Sequence, residues 1–127
     1  MHVLLVEDHA DTRVVLERLL MRWGHSVASA DGVASGLEQI KRNEFDAIVS
    51  DIALGDGSGY QLMNEARREG VRAPAIAISA YRYPAAIEEP FVTGFDHHLS
   101  KPFSANALRT VLERREYRGD DEPLPLK

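Results

Sequence analysis

The sequence predicts an α/β protein built on one doubly wound, five-stranded parallel sheet with five helices, and three observations carry that prediction. Short continuous apolar runs at 3–6, 47–49 and 75–78 suit central strands buried on both faces. Between them lie segments whose apolar residues recur at i, i+3 and i+4, so that strand and helix alternate along the chain. Each run also stops near polar side chains, at Glu7-Asp8, Asp51 and Ser79, as strands do that deliver functional groups to one sheet edge.

The first strand, 3–6, is followed by a helix from Ala10 to Trp23 carrying Val15, Leu16, Leu19, Leu20 and Trp23, with Gly24 as its stop. Residues 26–30 form a weak strand of small side chains suited to a sheet edge, after which Asp31 caps a helix through Val33, Leu37 and Ile40. The third strand delivers Asp51 to a loop containing Gly55, Gly57 and Gly59, and a helix with Tyr60, Leu62, Met63 and Ala66 on one face runs to Gly70. The fourth strand ends at Ser79-Ala80. Pro84 can open the next helix, but Pro90 removes a hydrogen bond inside it, so a short or kinked helix is expected. A fifth strand at 96–100 leads to Lys101-Pro102 and a last helix from Ser104 that buries Leu108, Val111 and Leu112. Right-handed crossovers then favour the flavodoxin-like strand order 2-1-3-4-5, which gathers Glu7, Asp8, Asp51, Ser79 and Lys101 around one crevice.

A chain of 127 residues suits one domain with one core, expected at 1–118, with 119–127 as a disordered tail or linker remnant rich in acids and proline. Its 44% hydrophobic and 28% charged residues are ordinary for a globular protein, and no apolar run reaches the ~20 residues of a membrane span. Acids directly behind 3–6 exclude a signal-peptide core, and the absence of cysteine excludes disulfides and thiolate metal sites; a cytoplasmic location is expected. A net charge of -5 argues against direct nucleic-acid binding. Trp23 reads as core, and Arg109, Arg114, Arg115 and Arg118 form a basic face on the last helix.

Three carboxylates at one sheet edge repel one another unless a cation or a proton relieves them. A hard divalent ion such as Mg²⁺ answers that need with oxygen ligands, while Lys101 supplies only one charge. A metal, a lysine and a hydroxyl around a spare carboxylate match the demands of phosphoryl transfer, with Asp51 as the nucleophile that forms an acyl phosphate.

The LLVEDH opening, the DIALGDGSG block, Ser79-Ala80 after the fourth strand and the LSKPF block together resemble the receiver domain of bacterial two-component response regulators, over about residues 2–117. The resemblance implies that Asp51 is the phosphoacceptor and that Asp8 binds Mg²⁺ directly, with Glu7 beside it and the backbone carbonyl of Ala53 completing the protein's share of the metal shell. It implies that Lys101 pairs with a phosphoryl oxygen and that Ser79 bonds the phosphoryl group through its hydroxyl. The donor would be a histidine kinase or a histidine phosphotransfer domain. The switched surface would be the face of the fourth helix, fifth strand and fifth helix, also a candidate homodimer surface. The resemblance also implies that the chain would catalyse transfer and loss of the group on itself, without conventional turnover of a separate substrate.

Departures from the family pattern also carry expectations. His98 stands where a rotating Tyr or Phe is usual, three residues before the lysine, and Gly55 replaces a common proline, which loosens the loop. Tyr81 and Ala53 flank the path of attacking water. Residues 116–127 are too short for an output module, so the chain reads as a stand-alone receiver or the terminal receiver of a hybrid sensor kinase. A small phosphohydrolase with Asp51 as nucleophile, or a receiver-like adaptor that is never phosphorylated, are the competing readings.

Overall fold

The computed structural model describes residues 1–79 and 94–118, with side chains through residue 114. The helix expected around Pro84 and Pro90, the residues Ala80 and Tyr81, the side chains of Arg115 and Arg118 and the tail from Gly119 lie outside the described residues.

The elements run β1 (His2–Val6), α1 (Ala10–Arg22), β2 (Ser26–Ala30), α2 (Val33–Arg42), β3 (Ala47–Asp51), β4 (Ala53–Leu54), β5 (Gly57–Ser58), α3 (Gly59–Arg68), β6 (Ala75–Ser79), β7 (His97–Ser100) and α4 (Ala105–Arg118). Five strands form one sheet in the order β2-β1-β3-β6-β7, with every neighbouring pair parallel. This is the expected order once the small antiparallel β4–β5 ribbon is set aside. The ribbon pairs Ala53 with Ser58 and Leu54 with Gly57, so the segment expected to be loose is partly ordered by backbone bonds.

Alternation along the central strands splits the core in two, because successive side chains point to opposite faces. Leu4, Val6, Ile48, Ala75 and Ala77 pack with Ile40 of α2 and Leu62, Met63 and Ala66 of α3. Val3, Leu5, Val49, Ile76 and Ile78 pack with Leu16 and Leu20 of α1 and Leu108 and Leu112 of α4. Both faces are therefore covered by helices, which explains why these strands read as continuous apolar runs. On α1 the inward stripe is narrower than its apolar spacing suggests: Leu16 and Leu20 are buried, whereas Val15 is 62% exposed. Trp23 is half-buried against the second cluster, with the Arg109 guanidinium 5.5 Å from its ring centroid.

Helix ends follow local rules in two places. Gly24 and Gly70, at φ 95° and 93°, provide the left-handed residues that close α1 and α3. Ser58 and Gln61 form a reciprocal box at the start of α3, with the Gln61 amide donating to Ser58 Oγ at 3.2 Å and the Ser58 amide to Gln61 Oε1 at 2.9 Å. The start of α2 departs from expectation. Asp31 does not cap it; its carboxylate accepts the Ser35 hydroxyl at 2.9 Å. The amides of Val33 and Ala34 donate instead to Asp56 Oδ1 and Oδ2, at 2.7 and 3.1 Å. Asp56 belongs to the β4–β5 turn, so the loop after Asp51 is fastened to α2.

Arg67 fastens the opposite end. Its guanidinium donates to the carbonyls of Val71, Ala73 and Gly94 at 2.8–3.2 Å, and Asp96 accepts the Ala75 amide at 2.9 Å. These bonds hold the entries to β6 and β7 side by side, which sets the register that brings their far ends to one edge.

The two amides that Asp56 accepts from α2 hold its carboxyl below the ordinary aspartate value of 3.8. A depressed folded value means that this carboxylate adds stability above the unfolded value and loses it as pH falls through the folded one. Asp56→Ala therefore lowers the melting temperature at neutral pH, and the gap to wild type closes as the pH is brought below 3.8, as thermal melts followed by circular dichroism will show.

Candidate functional site

The carboxyl ends of β1, β3, β6 and β7 lie side by side in the sheet, so the residues that terminate them share one rim. Asp51 ends β3 and Ser79 ends β6; Glu7 and Asp8 follow β1, and Lys101 follows β7. The Lys101 amide donates to the Ser79 carbonyl, which carries the sheet ladder up to the rim.

Lys101 Nζ donates to Asp51 Oδ2 at 2.9 Å and lies 3.4 Å from Glu7 Oε1. One ammonium thus bridges two carboxylates contributed by different strands. Burial of Lys101 works against its charge, but the bond to Asp51 and the charges of Asp51 and Glu7 outweigh it, and its pKa is raised above 10.5. Glu7 has no exposed side-chain surface. Burial raises its pKa above the ordinary value, the His9 amide lowers it, nearby Asp51 raises it further and Lys101 opposes the rise. Glu7 Oε2 accepts that amide at 3.1 Å, folding residues 7–9 into a tight turn. Arg13 donates to the Glu7 carbonyl at 2.8 Å from the first turns of α1.

Asp51 is 5% exposed, and its Oδ1 accepts the Ala53 amide at 3.2 Å. Its backbone is tightly packed as well: a Cβ on Gly59 would come within 2.4 Å of the Asp51 carbonyl oxygen, so only glycine lets α3 start there. Asp8 is more open, with 28% of its side chain exposed. Its Oδ1 is nonetheless buried and has no hydrogen-bond partner among the described residues, while 3.4 Å away stands His9 Nδ1. A Cβ on Gly55 would lie 3.7 Å from Asp8 Oδ2, so the β3–β4 segment and its turn border the same acid.

An orphaned carboxylate oxygen beside two further buried acids is costly without a cation. The carboxylates of Glu7, Asp8 and Asp51 are hard oxygen donors, and they fit a hard divalent ion better than a soft one. The site is thus an acid rim that Lys101 compensates only in part, and it suits a divalent metal that could in turn hold an anionic group.

The profile of the response regulator receiver domain matches residues 3–113. The chain belongs to this family. It is 28% identical over 112 residues to the transcriptional regulatory protein ZraR of Escherichia coli K12, covering 88% of this chain and 25% of that protein. It is 30% identical over 116 residues to the sensory/regulatory protein RpfC of Xanthomonas campestris, covering 88% of this chain and 16% of that one. The chain spans a quarter or less of the length of these curated relatives. Among solved structures it is similar to the receiver domain of a sensor histidine kinase from Pseudomonas aeruginosa PAO1, with 30% identity and a TM-score of 0.80 over 89% of this chain and 94% of that one; that structure has a magnesium ion coordinated in its active-site cleft. A two-component response regulator from Clostridium difficile shares the fold, with a TM-score of 0.86 and 23% identity over 93% of this chain and 97% of that one.

In this receiver domain the described sequence-predicted residues fall into three sets. Glu7, Asp51 and Lys101 are in direct contact through the ammonium, and Asp8 adjoins Glu7. Ser79 and Ala53 sit at the rim, Ser79 buried at the end of β6 and Ala53 bonded to Asp51 through its amide. His98 stands apart, half-buried within β7 opposite Ala77, its ring 6.1 Å from that of Phe95. Two residues escaped the sequence reading. Asp56 acts across 22–23 residues, a distance no local pattern reports. His9 completes a cluster with Glu7 and Asp8 whose ligand atoms lie within 4.8 Å of one another, and the run Glu-Asp-His was its available signal.

Removing the shared ammonium leaves the carboxylates of Glu7 and Asp51 facing each other unscreened. Lys101→Met costs about 1–3 kcal/mol at neutral pH without divalent ions, discounted from the figure for fully buried pairs because Lys101 is a quarter exposed. Glu7 already holds its proton to higher pH than usual, so the loss shrinks on acidification as it becomes neutral. Urea unfolding at neutral pH and at a pH near 4.5 measures both effects.

Proposed function

We propose that this receiver domain accepts a phosphoryl group on Asp51 from a phosphohistidine of a histidine kinase or phosphotransfer partner, in a Mg²⁺-dependent reaction. The observation that carries the reading is the Lys101 bridge between Asp51 and Glu7, with the unpartnered Asp8 oxygen beside it. The magnesium ion coordinated in the similar Pseudomonas receiver supports the same assignment.

Glu7, Asp8, Asp51 and the Ala53 carbonyl would hold the ion, which when bound neutralises charge on the phosphoryl oxygens. Asp51 Oδ2 is the attacking atom, and a new O–P bond forms as the N–P bond to the donor imidazole breaks. Lys101 then passes from the carboxylate to a phosphoryl oxygen, keeping one charge-assisted bond throughout. The Ala53 amide keeps Asp51 Oδ1 in place, so that one oxygen stays oriented while the other reacts. Ser79 would donate its hydroxyl to the transferred group.

A phosphoryl group adds about -1.5 to -2 charges at a rim already rich in acid. Movement of Ser79 toward it, and of His98 on β7, would transmit that change to the surface of β7 and α4, where a partner or a second copy would bind. Residues 1–118 would be the switching unit and 119–127 a tail or linker. Among the described residues no helix is long and apolar enough to cross a membrane.

Incubation with acetyl phosphate, read by intact mass, tests this. Wild type gains one phosphoryl group in the presence of Mg²⁺ and little in its absence, and Asp51→Asn gains none. Equal modification of Asp51→Asn would show that the acceptor lies elsewhere.

A further inference from the structure

The phosphoacceptor reading makes no use of His9. Its ring is 75% exposed and opens α1 as the N-cap without any side-chain bond to the helix, so the imidazole is not spent on capping. The tight turn that Glu7 Oε2 makes with the His9 amide brings the ring back over the acids. Nδ1 stands 3.4 Å from Glu7 Oε2 and 3.4 Å from Asp8 Oδ1, the buried oxygen without a hydrogen-bond partner among the described residues.

One ligand atom from each of Glu7, Asp8 and His9 lies within 4.8 Å of the others. With bonds of about 2.1 Å, neighbouring ligands lie about 3.0 Å apart around an octahedral ion and about 3.4 Å apart around a tetrahedral one, and His9 Nδ1 stands at such a separation from an oxygen of each acid. The donor set is then two carboxylates and an imidazole. Magnesium prefers oxygen ligands and gains little from the ring, whereas the later first-row divalent ions gain much.

We propose that His9 is a further ligand at the receiver's metal site and shifts its preference from Mg²⁺ toward imidazole-seeking divalent ions such as Ni²⁺ and Zn²⁺. The proposal rests on the reading that the acid rim holds a divalent cation. Its consequence is a receiver whose charge rim can be loaded by a transition ion when one is present, with the position after the acid pair deciding which ion wins.

Calorimetric titration of the whole chain with Mg²⁺ and with Ni²⁺, at one neutral pH, tests it in wild type and His9→Ala. Mg²⁺ affinity is expected to be unchanged by the substitution, which also shows that the variant is folded, while Ni²⁺ affinity falls about tenfold or more. Wild type preloaded with Ni²⁺ is expected to show no Mg²⁺ binding, because the two ions share the acids. Ni²⁺ affinity unchanged in His9→Ala, or Mg²⁺ binding unimpaired by bound Ni²⁺, as Ni²⁺ at His97 and His98 would give, overturns the role of His9 alone. If wild type binds no Mg²⁺ at all, the cation reading of the rim fails, and this inference fails with it.

Discussion

The bond from Lys101 to Asp51, shared with Glu7, is the interaction on which the rest of the site depends. Three acids meet at this rim and a single ammonium faces them, which leaves two formal negative charges uncompensated. Like charges 4 Å apart repel by about 4 kcal/mol under the screening typical of a protein surface, too much for a small domain to carry casually. The molecule has two ways to relieve this. A proton on Glu7 is one, and its upward-shifted pKa is the trace of it. A divalent cation is the other, and it removes the whole excess. Proton and metal are thus alternatives at the same rim, and only a divalent ion would balance its charge in full.

The scaffold earns its form from that site. Helices on both faces leave the strand ends as the open edge of the sheet, and the two apolar clusters pack β1, β3 and β6 from either side, below the acids at their ends. Distant ties then sharpen the edge. Arg67 and Asp96 align β6 with β7 from below, and Asp56 pins the turn after Asp51 to α2. Gly59 lets α3 press against the backbone of Asp51 itself. Of these, the Asp56 tie joins the loop after Asp51 to a helix 22–23 residues away in sequence.

Much of this was legible in the chain because it is written locally. Continuous apolar runs marked the strands buried on both faces, their polar ends marked the rim, and Gly24 and Gly70 marked helix ends through a backbone conformation other residues rarely adopt. What stayed hidden depends on partners far apart. Asp31 had the right residue type for a cap, yet Asp56 reached the amides of α2 first because the β4–β5 ribbon carries it there. Val15 had the right spacing for the core, but the sheet under α1 covers only the stripe centred on Leu16 and Leu20. His9 went unread beside the two acids, because only the turn at residues 7–9 brings its ring back to them.

The most direct measurement is a crystal structure of the chain grown with Mg²⁺ and beryllofluoride, in which the beryllium group stands in for the phosphoryl group. The ion should lie about 2.1 Å from oxygens of both Asp8 and Asp51, with beryllium on Asp51 Oδ2 and Lys101 Nζ moved from that oxygen onto a fluorine. An ion bound away from these acids at saturating Mg²⁺, or a Lys101–Asp51 bond left as it is here beside an unmodified Asp51, would contradict it.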